Sequence, residues 1–154
     1  MLPAVQKGAA IGQRSLAGFR IAMKALIAAA PDRHALAAKI EDVRARVAFY
    51  ASTPAYRAAF AAHGLGTLAD ELKELSRAQH WDEMPRHISD DVLHTYAVVG
   101  TYDEIADKLA ARYGDIISSL EFSIPVANDD DRHRLSAIAR RLQELPPPSA
   151  LRQA

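Results

Sequence analysis

The stretch Phe19–Ala29, FRIAMKALIAA, constrains the fold of this chain more than any other. It carries one Arg and one Lys among apolar residues and is framed by Gly18 and Pro31. An apolar run this continuous does not read as an amphipathic helix. It matches a parallel strand covered on both faces. A buried strand is therefore expected here, with a helix as the competing reading because alanine is abundant in the second half. A strand of this kind needs partners along its edges and helices over its faces, which makes the fold class α/β.

The remaining pattern is mostly helical. Leu2–Arg14 reads as an alanine-rich helix opened by Pro3, loosened after Gly12. Pro31-Asp32 opens a long helix to about Ala51, on which Leu36, Ile40, Val43, Val47 and Tyr50 step by four and three residues along one stripe. Ser52 or Thr53 is expected to cap the next helix, with Pro54 at its first position, where a missing N–H costs nothing. That helix stops at His63-Gly64, and Thr67–Asp70 resembles a capping arrangement for a third, running to about Ala78. Short helical or turn segments follow around Trp81, Met84 and Ile88 and after Ser89. Ala97–Gly100 is short and apolar, and Thr101-Tyr-Asp-Glu104 is a capping box for a helix to Tyr113. Ser118–Ile124 alternates apolar and polar residues as a half-buried strand does. Asp129–Leu145 closes the sequence as an amphipathic helix. The expectation is two strands in one domain over residues 1–145, with a disordered Pro-rich tail over 146–154.

Composition narrows the function classes. The 19 basic and 19 acidic residues cancel, so no net field favours nucleic acid or an anionic membrane surface. The absence of cysteine excludes disulfides and thiolate chemistry and suits a reducing cytoplasm. No run approaches a membrane span, and MLPAVQKGAAIGQR lacks a secretory pattern.

Polar and aromatic groups crowd one turn, where Tyr50, Ser52, Thr53, Tyr56 and Arg57 lie close in sequence. They can line a binding pocket. The plainer alternative makes the tyrosines core aromatics and the hydroxyls helix caps. His87, Asp91 and His94, with Glu83 one turn back, have metal-ligand spacing only if one helix runs unbroken through Ser89, which itself looks like a cap; no metal site is expected. His63 and His133 accompany no nucleophile-elbow serine, and Gly64-Leu-Gly66 lacks the third glycine of a dinucleotide fingerprint. Arg132, Arg134, Arg140 and Arg141 are offset by neighbouring carboxylates and read as a solvated helix face.

Several short motifs in order, AFYASTPAYR, AAHG, WDEMPRHISDDVL and VVGTYDEIADKLAARYG, resemble the C-terminal part of luciferase-like monooxygenase superfamily proteins, in particular their actinobacterial deazaflavin-dependent oxidoreductases. The resemblance implies the C-terminal segment of a (β/α)₈ TIM barrel, with Phe19–Ala29 and Ser118–Ile124 as its seventh and eighth strands and the helices between them as an enlarged insertion. It implies a hydride transfer between coenzyme F420, or alternatively FMN, and a small organic substrate. On this reading Tyr50, Ser52, Thr53, Tyr56 and Arg57 lie around a turn that follows the implied seventh strand on the active-site face and form a wall of the substrate or cofactor pocket. Most contacts to the ring come from earlier strands in this family, so no catalytic residue is assigned and the chain alone is expected to bind neither ring. Self-association, or docking of a missing N-terminal barrel half, would complete it. The alternative is a truncated, non-catalytic fragment or interaction module.

Overall fold

A computed structural model describes Leu2–Pro146 and Pro148. The fold is mixed α/β, mostly helical with few strands. Its elements run α1 (Leu2–Ile11), β1 (Ala22–Lys24), β2 (Leu26–Ala30), α2 (Arg33–Ser52), α3 (Arg57–Ala61), α4 (Gly66–Arg77), α5 (Asp90–Tyr96), β3 (Ala97–Thr101), α6 (Tyr102–Tyr113), β4 (Ser119–Glu121) and α7 (Asp129–Gln143). Single 3₁₀ turns precede α3 (Pro54–Tyr56) and α5 (Met84–His87). The expected tail over 146–154 lies, apart from Pro146 and Pro148, outside the described residues. The backbone groups into two compact units, Leu26–Thr101 and the remainder on either side of it.

The apolar run that anchors the sequence is two strands, interrupted at Ala25, that belong to different sheets. Only the second half meets the expectation of burial. Ile27, Ala28, Ala29 and Ala30 are buried in β2, whereas Ala22 and Lys24 of β1 are exposed. In the central unit β2 pairs in parallel with β3, in register from Leu26 opposite Ala97 to Ala30 opposite Thr101. Residues 97–101 are therefore a strand, where the sequence shows only a short apolar segment. Helices α2 to α5 lie between β2 and β3, and α6, expected in the same insertion, follows β3, so residues 97–101, not 118–124, continue the sheet after β2.

Helix α2 packs on β2 and β3 and carries the core of this unit. Asp32 caps it, its Oδ1 accepting from the Ala35 amide at 2.8 Å. Leu36, Val43 and Val47 of α2 join Leu72 of α4, Ile88 and Leu93 in a cluster almost fully removed from water. Arg44 binds the far side of the helical excursion to α2. Its guanidinium donates to the Ile88 carbonyl, to Asp90 at 2.6 Å and to Glu41 at 3.0 Å. The Asp90 hydrogen bond, ahead of the opposing cost of burial, raises the Arg44 pKa, and the same bond holds the Asp90 carboxyl below its usual range.

In the flanking unit β1 pairs in parallel with β4, Ala22 opposite Ser119. Lys24 and Glu121 face each other across it at 2.7 Å. The strand expected over 118–124 is three residues long, although the alternation extends beyond it: Leu120, Phe122 and Ile124 are half-buried and Ser119, Glu121 and Ser123 exposed. Helices α6 and α7 pack together, and their large buried apolar side chains include Ile105, Leu109, Leu135 and Ile138. Asn128 caps α7, its Oδ1 accepting from the Asp131 amide at 2.8 Å. Asp131 is buried, and its carboxylate accepts from the Tyr102 hydroxyl at 3.1 Å and from the Ala127 amide at 3.2 Å. Burial, first, and then the bond to Asp131 push the Tyr102 phenol up.

Candidate functional site

The turn that ends α2 gathers its polar residues as the sequence suggests, but uses several of them internally. The Ser52 hydroxyl donates to the Phe49 carbonyl at 2.8 Å and the Thr53 hydroxyl to the same oxygen at 3.0 Å. Both close the last turn of α2 by bonding back to a carbonyl three or four residues earlier. Neither caps the following helix, because Thr53 makes no side-chain cap bond there. Pro54 does open the next segment, as a 3₁₀ turn. Ser52 is only 5% exposed. Thr53 is half-buried.

The aromatic residues form a chain of edge-to-face contacts. The Phe49 and Tyr50 rings lie 6.0 Å apart at 63°, and Tyr50 and Tyr56 lie 5.4 Å apart at 86°. This geometry suits ring quadrupoles. Tyr50 is half-buried, while Phe49 and Tyr56 present about half of their surface to solvent. Arg57 turns away from the rings onto Asp70 of α4, with Nε and Nη2 each 2.7 Å from a carboxylate oxygen. The paired hydrogen bonds raise the Arg57 pKa and hold the Asp70 carboxyl low. Asp70 is thus engaged by α3 rather than in the expected capping arrangement, and α4 begins at Gly66 with no side-chain cap. The structure therefore brings Tyr50 and Tyr56 together, ties Ser52 and Thr53 to the helix end, and pairs Arg57 separately.

The position of this turn in the topology also differs from the expectation. It follows a 20-residue helix, not a strand. At 1.5 Å per residue, α2 separates it from the end of β2 by about 30 Å along the helix axis. The carboxyl ends of the parallel strands, where α/β folds place their ligands, lie where Ala30 and Thr101 stand side by side. Pro31, Asp32, Arg33 and His34 continue from that end of β2. Sequence reasoning read Pro31-Asp32 only as a helix start, since nothing in PDRH forms a motif. Asp32 is also occupied as the cap.

One aromatic cluster was not anticipated. Tyr96, at the end of α5, stacks on Phe60 with centroids 4.4 Å apart, and His63 meets it edge-on at 5.6 Å. Its hydroxyl is buried and has no hydrogen-bond partner among the described residues, and burial pushes its pKa up. The metal-spaced trio is not on one helix. The 3₁₀ turn ends at His87 and the extended Ile88 separates it from Asp91 and His94, because Ser89 does cap α5 through the Val92 amide. Among the described residues no group of three potential ligands comes together. No helix described is long and apolar enough to cross a membrane.

Comparison with known proteins places this geometry in context. A family model described as luciferase-like monooxygenase matches residues 1–119. An uncharacterized protein of Mycobacterium bovis and two of Mycobacterium tuberculosis strains are each 37% identical over 116 residues, a match covering 75% of this chain and 34% of the relative. The chain thus spans about a third of the length of the curated relatives it matches. No solved structure matches it.

Proposed function

Because the chain belongs to the luciferase-like monooxygenase family, we propose that it forms the C-terminal portion of a barrel oxidoreductase that moves a hydride between F420, or alternatively FMN, and a small organic substrate. The observation that carries this reading is the parallel β2–β3 pair covered by α2, in a region that the family model matches. Parallel strands joined through a covering helix are what a (β/α)₈ barrel repeats, and in one the strand ends at Ala30 and Thr101 would take their place on its ligand-binding rim. The ring would supply the redox chemistry, and the protein its orientation and surroundings.

The residues present do not by themselves fit a tricyclic ring. At the end of β2 the Asp32 carboxylate is spent on the helix cap, and residues 32–34 are exposed rather than folded into an enclosing wall. A pocket that buries most of a ligand needs walls on several sides. No step is therefore assigned to this chain's own side chains. Tyr50, Tyr56 and Arg57, with Ser52 and Thr53 fixing the turn, are proposed as substrate-side wall residues of the longer protein, since binding groups gather on loops held by rigid elements.

A chimera tests the reading. This chain replaces the matching third of a mycobacterial relative, and F420 and FMN are titrated by fluorescence into the relative, the chimera and the isolated chain. One ring is expected to bind the relative and the chimera saturably, and neither to bind the isolated chain. A folded relative and chimera that bind neither ring would overturn the assignment. In the chimera, Tyr56→Ala or Arg57→Ala is expected to lower turnover more than the thermal midpoint. A lowered midpoint with unchanged turnover per folded molecule would make the turn structural.

A further inference from the structure

The flanking unit contains an open groove of about 1080 Å³, lined by residues 15–20 and by parts of α6, β4 and α7. Its lining mixes apolar side chains, among them Phe19, Leu120, Phe122 and Leu142, with Arg20, Tyr113, Ser119 and Gln143. Two of its hydroxyls are turned inward: Ser15 accepts from the Ala17 amide at 3.0 Å and Ser118 from the Ile21 amide at 3.3 Å. A small-molecule site combines apolar walls with a few convergent polar groups that orient the ligand. Here Ser15 and Ser118 already serve the backbone, and Arg20 and Gln143 are long chains that lie in solvent rather than fixed groups aimed at one point.

Two further features of the same unit point to a polypeptide occupant. Helix α1 has ten residues and buries none of them, and Ile11 is 76% exposed. Helices shorter than about 12–15 residues are marginal in water without tertiary packing. The β1–β4 pair is a two-stranded sheet with three residues per strand. Such a pair is marginal alone, and among the described residues no further strand pairs with either outer edge. The relatives carry about twice as much additional chain as the third matched here, and a closed barrel requires neighbours on both edges of every strand.

We propose that this groove, with the outer edges of β1 and β4, is the seat of a second polypeptide segment: the remaining two-thirds of a luciferase-like barrel, supplied on the same chain or as a separate one. This rests on the barrel reading above and names the surface through which the barrel is completed.

The test co-expresses this chain, tagged, with the portion of the mycobacterial relative outside its matching third. A one-to-one complex is expected. Phe19→Glu, at a side chain 45% exposed in the free chain, should reduce recovery at least tenfold without changing the melting of the free chain. Trp81→Glu, 47% exposed in the central unit, should leave recovery unchanged. A complex indifferent to Phe19→Glu overturns the proposal. So does a homodimer of the chain alone that Phe19→Glu dissociates, because a second copy would then own the groove. If the separate portion does not fold, hydrogen exchange on the covalent chimera decides. Amides 15–24 and 118–122 should exchange at least tenfold more slowly there than in the isolated chain, and equal rates overturn the proposal. A complex that forms but binds neither F420 nor FMN would sink the oxidoreductase reading and leave this one standing. Ring binding by a chimera with unprotected amides would do the reverse.

Discussion

The two units have nearly the same number of residues and very different interiors. Among the described residues, nineteen buried apolar side chains belong to Leu26–Thr101 and eight to the flanking unit. Both are built on a parallel strand pair followed by helices. The central pair is five residues long, covered by a 20-residue helix and backed by α4 and α5. The flanking pair is three residues long and leaves Ala22, Lys24, Ser119 and Glu121 in solvent. A parallel sheet is stabilised by what covers it, so the number of large side chains a unit can place over its strands decides whether it closes alone. By that measure the central unit covers its strands far more fully than the flanking unit does.

The largest effect should expose this difference directly. Leu36→Ala removes a side chain 2% exposed at the centre of the larger core, and is expected to cost about 2–5 kcal/mol. Leu142→Ala on the half-buried face of α7 should cost well under half as much. Chemical denaturation of both variants checks the contrast, and equal losses would break it.

Within the flanking unit, the α6–α7 contact should be its firmest point. Tyr102→Phe leaves the buried Asp131 carboxylate without its hydroxyl donor, and an unsatisfied buried group of this kind costs about 1–3 kcal/mol. An unchanged unfolding midpoint would mean that water replaces the phenol. Next in size, Asp32→Ala should destabilise the chain by about 1 kcal/mol through loss of the α2 cap. A helical signal that falls without a change in the rest would show that α2 frays independently of its sheet.

The smallest effects are electrostatic. Glu121 in the flanking unit and Asp90 in the central one both have pKa values lowered, first by hydrogen bonds from Lys24 and Arg44 respectively. A carboxyl lowered on folding contributes stability above its unfolded pKa and loses it as the pH falls through the folded value. Both pairs should therefore fade on acidification below the usual carboxylate range, and added salt should weaken the exposed Lys24–Glu121 pair. Glu121→Gln should remove that part of the pH dependence. A profile left unchanged by Glu121→Gln would show that the β1–β4 contact owes nothing to this charge pair.

Much of the helical framework was legible because its signals are local. Asp32, Pro54, Gly64 and Ser89 mark element ends through backbone geometry that the residue itself supplies. What escaped depends on distant partners. Ala97–Thr101 is a strand because Leu26–Ala30 lies beside it; four apolar residues between two helices carry no periodicity that could show this. The apolar run Phe19–Ala29 looked uniform, yet a break at Ala25 assigns its halves to different sheets. Thr67–Asp70 read as a cap until Arg57, thirteen residues away, claimed the carboxylate. Ser52 and Thr53 could serve either flanking helix, and only the position of the Phe49 carbonyl decides between them. The candidate turn was legible as a cluster. Its distance from the strand ends was not, since the length of α2 sets that distance and the reading had placed the turn directly after a strand.

The interruption at Ala25 also orders events in time. Leu26 needs Ala97, but Ala22, four residues earlier in the chain, needs Ser119. As the chain leaves the ribosome, β2 can find its partner once the helices up to Tyr96 have condensed around α2, whereas β1 must wait through the whole of α6. Closing loops of this length is entropically slow before any contact rewards it. On this ordering β1 commits after β2, and Phe19–Lys24 stays open to chaperones or to neighbouring polypeptides for longer than Leu26–Ala30 does.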